Sequence, residues 1–99
     1  MTDDSPLHAR MQRANQAREI LDNTLLKEAF TALRQTYLEA AMQTTFKDDM
    51  GRFRALQAAL VVDQVQQHIA RHIEDGKLAA EELKALQRGN DRRKMWPVV

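Results

Sequence analysis

The chain has 99 residues, 43 of them apolar and 14 of those alanine, with three glycines, two prolines and no cysteine. That length allows one small domain, which buries only about two thirds of the surface it exposes unfolded, and the lack of cysteine excludes disulfide frameworks and thiolate metal sites. The balance of 15 basic against 14 acidic residues argues against a dedicated nucleic-acid-binding domain, no apolar run is long enough to span a membrane, and the charged first twenty residues do not read as a signal peptide.

Helix-forming residues dominate, and glycine and proline fall mainly at the edges of periodic segments. The expected fold is all-α: three main antiparallel helices, a short fourth helix and an extended C-terminal tail. In domain terms this gives an N-terminal tail at 1–5, a helical domain at 6–89 and a basic, aromatic tail at 90–99. The first helix should begin near Ser5-Pro6, where serine can cap free amides and proline suits the first turn. Leu7, Met11, Ala14, Ala17 and Leu21 then fall on one stripe, with Arg10, Arg13, Gln16 and Glu19 opposite.

Asn23 is placed to cap a second helix over about 24–43. Its apolar face is broad, with Leu25, Leu26, Ala29, Phe30, Leu33, Tyr37, Ala40 and Ala41, and a face that wide predicts two neighbours. Asp48 or Asp49 can cap a third helix over about 50–75, with Phe46 folded back on its first turn as a hydrophobic staple. The apolar stripe of that helix moves. Phe53, Leu56 and Leu60 lie together and are expected against helix two. Val61, Val62, Val65, Ile69 and Ile73 lie on a face rotated by roughly 150°, expected against helix one or another chain. Asp75-Gly76 reads as a stop, since glycine supplies a left-handed cap. A thin fourth helix over about 78–88, carrying Leu78, Leu83 and Leu86, should end at Gly89. Gly51, just inside a helix start, has no evident reason.

Chemistry finds little support. His68 and His72 share a helix face and can in principle chelate a metal with Asp75 or a residue of another chain, but Ile69 stands where a zinc-protease motif has glutamate. They read as two partly exposed histidines, and no metal or cofactor is assigned. The acidic pairs Asp3-Asp4, Asp48-Asp49 and Glu81-Glu82 all fall at predicted helix starts, where negative charge offsets the helix dipole. There is no phosphate-binding glycine loop, and the single serine, Ser5, sits in a cap context. No catalytic residue is assigned and the chain does not read as an enzyme.

Binding features are stronger. Arg92, Arg93, Lys94, Met95 and Trp96 form a basic segment with the only tryptophan, and aromatic and arginine side chains are common interface anchors. Trp96 docked on its own domain and Trp96 docked on a partner are both open. The expected protein interface is Val61, Val65, Ile69, Arg92, Arg93, Met95 and Trp96. An alternative set for phosphate contacts is Arg10, Arg13, Arg92, Arg93 and Lys94. A helix-turn-helix reading of residues 7–43 is poor, because the presumed recognition helix is broadly apolar.

The strings Glu19-Ile20-Leu21-Asp22-Asn23, Phe30-Thr31-Ala32-Leu33, Tyr37-Leu38-Glu39-Ala40, Asp49-Met50-Gly51-Arg52 and Gly76-Lys77-Leu78-Ala79 resemble a group of small all-helical proteins of tailed bacteriophages and prophages. The likeness spans roughly residues 12–80 and departs from the group's pattern at Thr24 and Met42. It implies a non-enzymatic role in a virion or packaging assembly, in the virion or the host cytoplasm, with other subunits or further copies as partners. It also implies two alternatives: a DNA-packaging accessory resembling a small terminase subunit, and a phage inhibitor of a host protein.

Overall fold

The computed structural model describes residues 4–95, with side chains through residue 90. It contains three helices, α1 (Ser5–Asp22), α2 (Thr24–Met42) and α3 (Asp49–Met95), and no strand among the described residues. The all-α expectation therefore holds. The helix starts are set by the residues that the sequence offers for them. The carbonyl of Asp4 accepts from the amides of Leu7 and His8 to open α1. Asn23 sits in extended backbone at φ −67°, ψ 117°, and its side-chain oxygen accepts from the Leu26 amide at 2.9 Å, a cap that satisfies one of the orphan donors of α2. Asp48 does the same for α3, accepting from the Gly51 amide at 2.9 Å.

Gly51 sits directly under that bond. The Asp48 carboxylate lies close over the glycine, so that a Cβ there would have to push that side chain aside. At the end of α2, the Gln43 amide donates to the Glu39 carbonyl at 3.0 Å, and Thr44 Oγ1 donates to the Ala41 carbonyl at 2.7 Å, so the last turn closes without glycine.

The separate fourth helix is not present. α3 runs through both Gly76 and Gly89, and no glycine has positive φ. Gly76 serves packing instead. It is buried, and a Cβ on it would run into the Ala14 Cβ, so its bare Cα is what lets α1 and α3 approach closely. Leucine, alanine and glutamate after it carry the helix onward. The extended tail is likewise corrected: the backbone is helical from 90 to Met95, while residues 96–99 lie outside the described residues. Glu81-Glu82, expected at a helix start, lies within α3.

The chain packs as two compact units. One comprises α1 up to Arg18 with α3 from Arg71 onward; the other is Glu19–Ala70. In the first, Leu7, Ala79 and Leu83 form the core with Met11 packed against them, and Ala14 and Ala17 are buried. This is the stripe the sequence predicts for α1. In the second, the buried residues are Ala41, Ala59 and Val62, and Arg34 Nε donates to Asp63 at 3.1 Å to tie α2 to α3. Phe53, Leu56 and Leu60, expected against α2, are exposed; the alanine line of α3 takes that place because two helices come closest where side chains are smallest. Phe46 does not staple the start of α3, being 93% exposed.

Gly76 and Gly89 predict opposite outcomes for one substitution. Gly89→Ala meets nothing within 4 Å and should stabilise by up to about 1 kcal/mol through helix propensity. Gly76→Ala has the same propensity gain, but the rigid Ala14 Cβ cannot step aside, so net destabilisation is expected. Urea unfolding of both variants beside the parent chain checks the two signs.

Candidate interaction surface

Each of the residues singled out in the sequence has a different surrounding. Val61 and Val65 are about half exposed at 54% and 44%, and Ile69 is half-buried. Arg92, Arg93, Lys94 and Met95 belong to α3 by backbone, but their side chains, like the whole of Trp96, lie outside the described residues, as does Asp3. Arg13 is exposed.

Arg10, assigned by periodicity to the solvent face of α1, lies in the first unit's contact. Its Nε donates to Asp75 Oδ2 at 3.0 Å and one terminal nitrogen to Asp75 Oδ1 at 2.9 Å. That nitrogen also reaches the Asp75 carbonyl at 3.4 Å, and the other lies 3.6 Å from a Glu82 oxygen. This is a two-pronged guanidinium–carboxylate pair, the geometry that arginine serves better than lysine. The Arg10 hydrogen bond holds the Asp75 carboxyl below its ordinary value, against a smaller opposing effect of burial; the charges of Arg10, His72 and Arg13 pull the same way as the bond. Asp75 in turn raises the Arg10 pKa through the same bond. Both Asp75 oxygens are thus engaged, and among the described residues no group of three His, Cys, Asp or Glu side chains is placed to hold a metal ion. His68 and His72 contribute to no such cluster.

The larger feature is apolar. Thirteen large hydrophobic side chains are exposed among the described residues, and eleven of them belong to the Glu19–Ala70 unit, Leu78 and Leu86 being the others. Leu25 is 75% exposed and Met42 83%. Two open grooves lie on this unit. One, of about 520 Å³, runs along the junction of α1 and α2 past Ile20, Leu25, Leu26 and Ala29. The other, of about 400 Å³, lies between the end of α2 and the start of α3, past Leu38, Met42, Arg52 and Leu56. Neither brings together a nucleophile with an acid or base. The sequence pointed to Val61 and Val65 but not to Leu25, Leu33, Phe53 or Leu60 as surface; the available signal was the breadth of the apolar face on α2, which exceeds what one neighbour can cover.

No helix among the described residues is long and apolar enough to cross a membrane. Comparison with known protein families, curated proteins and solved structures finds no match to this chain.

The Arg10–Asp75 pair makes a pH prediction. A carboxyl held low in the folded state stabilises fully above its unfolded value, near 3.9, and loses that contribution as pH falls through the lower folded value. The gap in urea midpoint between the parent and Asp75→Asn should therefore be constant around neutrality and shrink only in the acid range below about pH 4. A gap independent of pH down to strong acid would show that the asparagine variant loses packing, not charge.

Proposed function

We propose that the chain is a non-enzymatic assembly protein of a tailed phage or prophage, present in several copies and acting by binding other protein subunits in a virion or packaging assembly. The observation that carries the binding role is the imbalance of apolar surface: large hydrophobic side chains stand exposed, while most of the buried apolar residues are alanines. Contiguous exposed apolar surface of this kind marks interaction sites. The phage setting rests on the resemblance of the sequence strings, and places the protein in the virion or the host cytoplasm.

In this reading the helix pairs within each unit are antiparallel. The pairing of Leu7 with Leu83 and of Ala14 with Gly76 supports this in one unit. In the other, the support is Arg34 on Asp63, with Leu38 and Met42 beside Arg52 and Leu56. Val61, Val65 and Ile69 belong to the proposed contact surface, and the segment Arg92, Arg93, Met95 and Trp96 is a second contact proposed on sequence grounds. Arg10 is already engaged by Asp75 and Glu82 of its own chain, which counts against it as a phosphate contact.

Sedimentation of the full chain over a range of concentrations should give a mass above one chain, and a gel-shift assay at low salt, where phosphate contacts are strongest, should show no DNA complex. A strict monomer that shifts DNA at low salt would replace this reading with the packaging-accessory one.

A further inference from the structure

We propose that the connection between α2 and α3 is a proteolytic processing site: an endoprotease whose pocket takes an aromatic side chain cuts the chain after Phe46, and the two pieces stay together as one folded protein. The inference is independent of the assembly role proposed above.

Phe46 is the most exposed large hydrophobic side chain among the described residues, and it neither staples α3 nor enters a core. Its backbone is suited to cutting. A protease holds its substrate as an extended strand, with main-chain hydrogen bonds on both sides of the cut and a pocket for a chosen side chain. Helical backbone cannot be held in this way, because its amides and carbonyls are already bonded to one another. The segment from Gln43 to Asp48 lies outside the helices, which leaves it free to extend on both sides of the Phe46–Lys47 bond. The Thr45 carbonyl accepts from the Asp48 amide at 3.0 Å and from Arg52 at 3.1 Å, so straightening the chain at the cut breaks local turn bonds but no helical ladder. Exposed loop tips of this kind are where proteolytic nicking concentrates.

The other aromatic residues are poorer targets. Phe30 and Tyr37 are half-buried within α2, and Phe53, though exposed, is within α3. Trp96 precedes Pro97, whose nitrogen carries no hydrogen and whose ring fixes the backbone just after the bond to be cut. Hydrolysis adds water across the Phe46–Lys47 bond, the hydroxyl going to the Phe46 carbonyl carbon and hydrogen to the Lys47 nitrogen. The new ammonium at Lys47 would stand near the positive end of α3, where Asp48 and Asp49 beside it offset the charge. The contacts that join the two pieces do not use the cut bond. In the unit of α1 and the later part of α3, Leu7 packs with Ala79 and Leu83, and Arg10 is bonded to Asp75. In the Glu19–Ala70 unit, Arg34 of α2 is bonded to Asp63 of α3. Each unit thus takes helix from both sides of the cut, and α1 and α2 leave on the same piece.

The test uses the full chain and a limiting amount of chymotrypsin in native buffer, with the products identified by intact mass. The first products should be the pieces 1–46 and 47–99. The nicked protein should sediment like the uncut chain and keep its helical circular dichroism, the pieces separating only in denaturant. Phe46→Ala, which removes a side chain with almost no contact to its own chain, should slow loss of the intact chain at least about tenfold, since the apolar pocket of the protease is then left unfilled. Phe53→Ala should be cut at Phe46 at the parental rate. A first cut anywhere else, or a Phe46→Ala chain cut as fast as the parent, overturns the site. Pieces that part in native buffer overturn the two-piece product.

Discussion

The structure depends on helices brought together by their smallest residues. Five of the eight buried apolar residues among the described residues are alanine, and where α1 meets α3 an alanine faces a glycine on which a methyl group would collide. Close backbone approach of this kind gains dispersion along the helices but buries little area per residue, about 0.8 kcal/mol for each methyl-sized group. It also decides where the large residues go. A line of alanines facing a neighbouring helix leaves leucine, valine and phenylalanine on the flanks, where only a further layer can cover them. The thin core and the apolar surface are one consequence of the same choice.

Much of the local structure was legible in the sequence because it is decided locally. Asn23 and Asp48 cap helices wherever a short polar side chain can reach an amide three residues ahead, and both do so here. The α1 stripe of Leu7, Ala14 and Ala17 was legible too, since its period is unbroken and it faces one partner. What could not be read was decided by distance between helices. Gly76 has the chemistry of a helix stop and of a close-contact residue, and only the position of Ala14 selects between them. Phe53, Leu56 and Leu60 look like a core stripe by hydrophobicity. The neighbouring alanines Ala58 and Ala59 look like filler, yet Ala59 is the buried one. Hydrophobicity ranks side chains by what they lose in water, not by how near two backbones come.

The same limit applies to Arg10. Periodicity placed it on the outer face with Arg13, and an arginine near a chain end suggests phosphate. Its long side chain instead reaches across to Asp75 and Glu82, burying its stem along the contact as arginine often does. A partly exposed pair like this contributes modestly to stability. Its geometric demand is stricter, because a two-pronged bond fixes both the register and the rotation of α1 on α3. The Ala14–Gly76 contact sets the same register, since one turn of slip would put a residue with a Cβ where the helices leave room only for glycine.

This division of labour bears on what the protein can do. The Arg10–Asp75 contact and the alanine packing fix helices to one another with little core, and leave the Glu19–Ala70 unit with eleven large apolar side chains outside. A surface selected only for solubility would carry polar residues at Leu25, Leu33, Val61 and Val65, since nothing inside the chain needs them there. The exposed leucines, valines and phenylalanines of this unit are thus the counterpart of its alanine packing: the small residues hold the helices together, and the large ones are left outside.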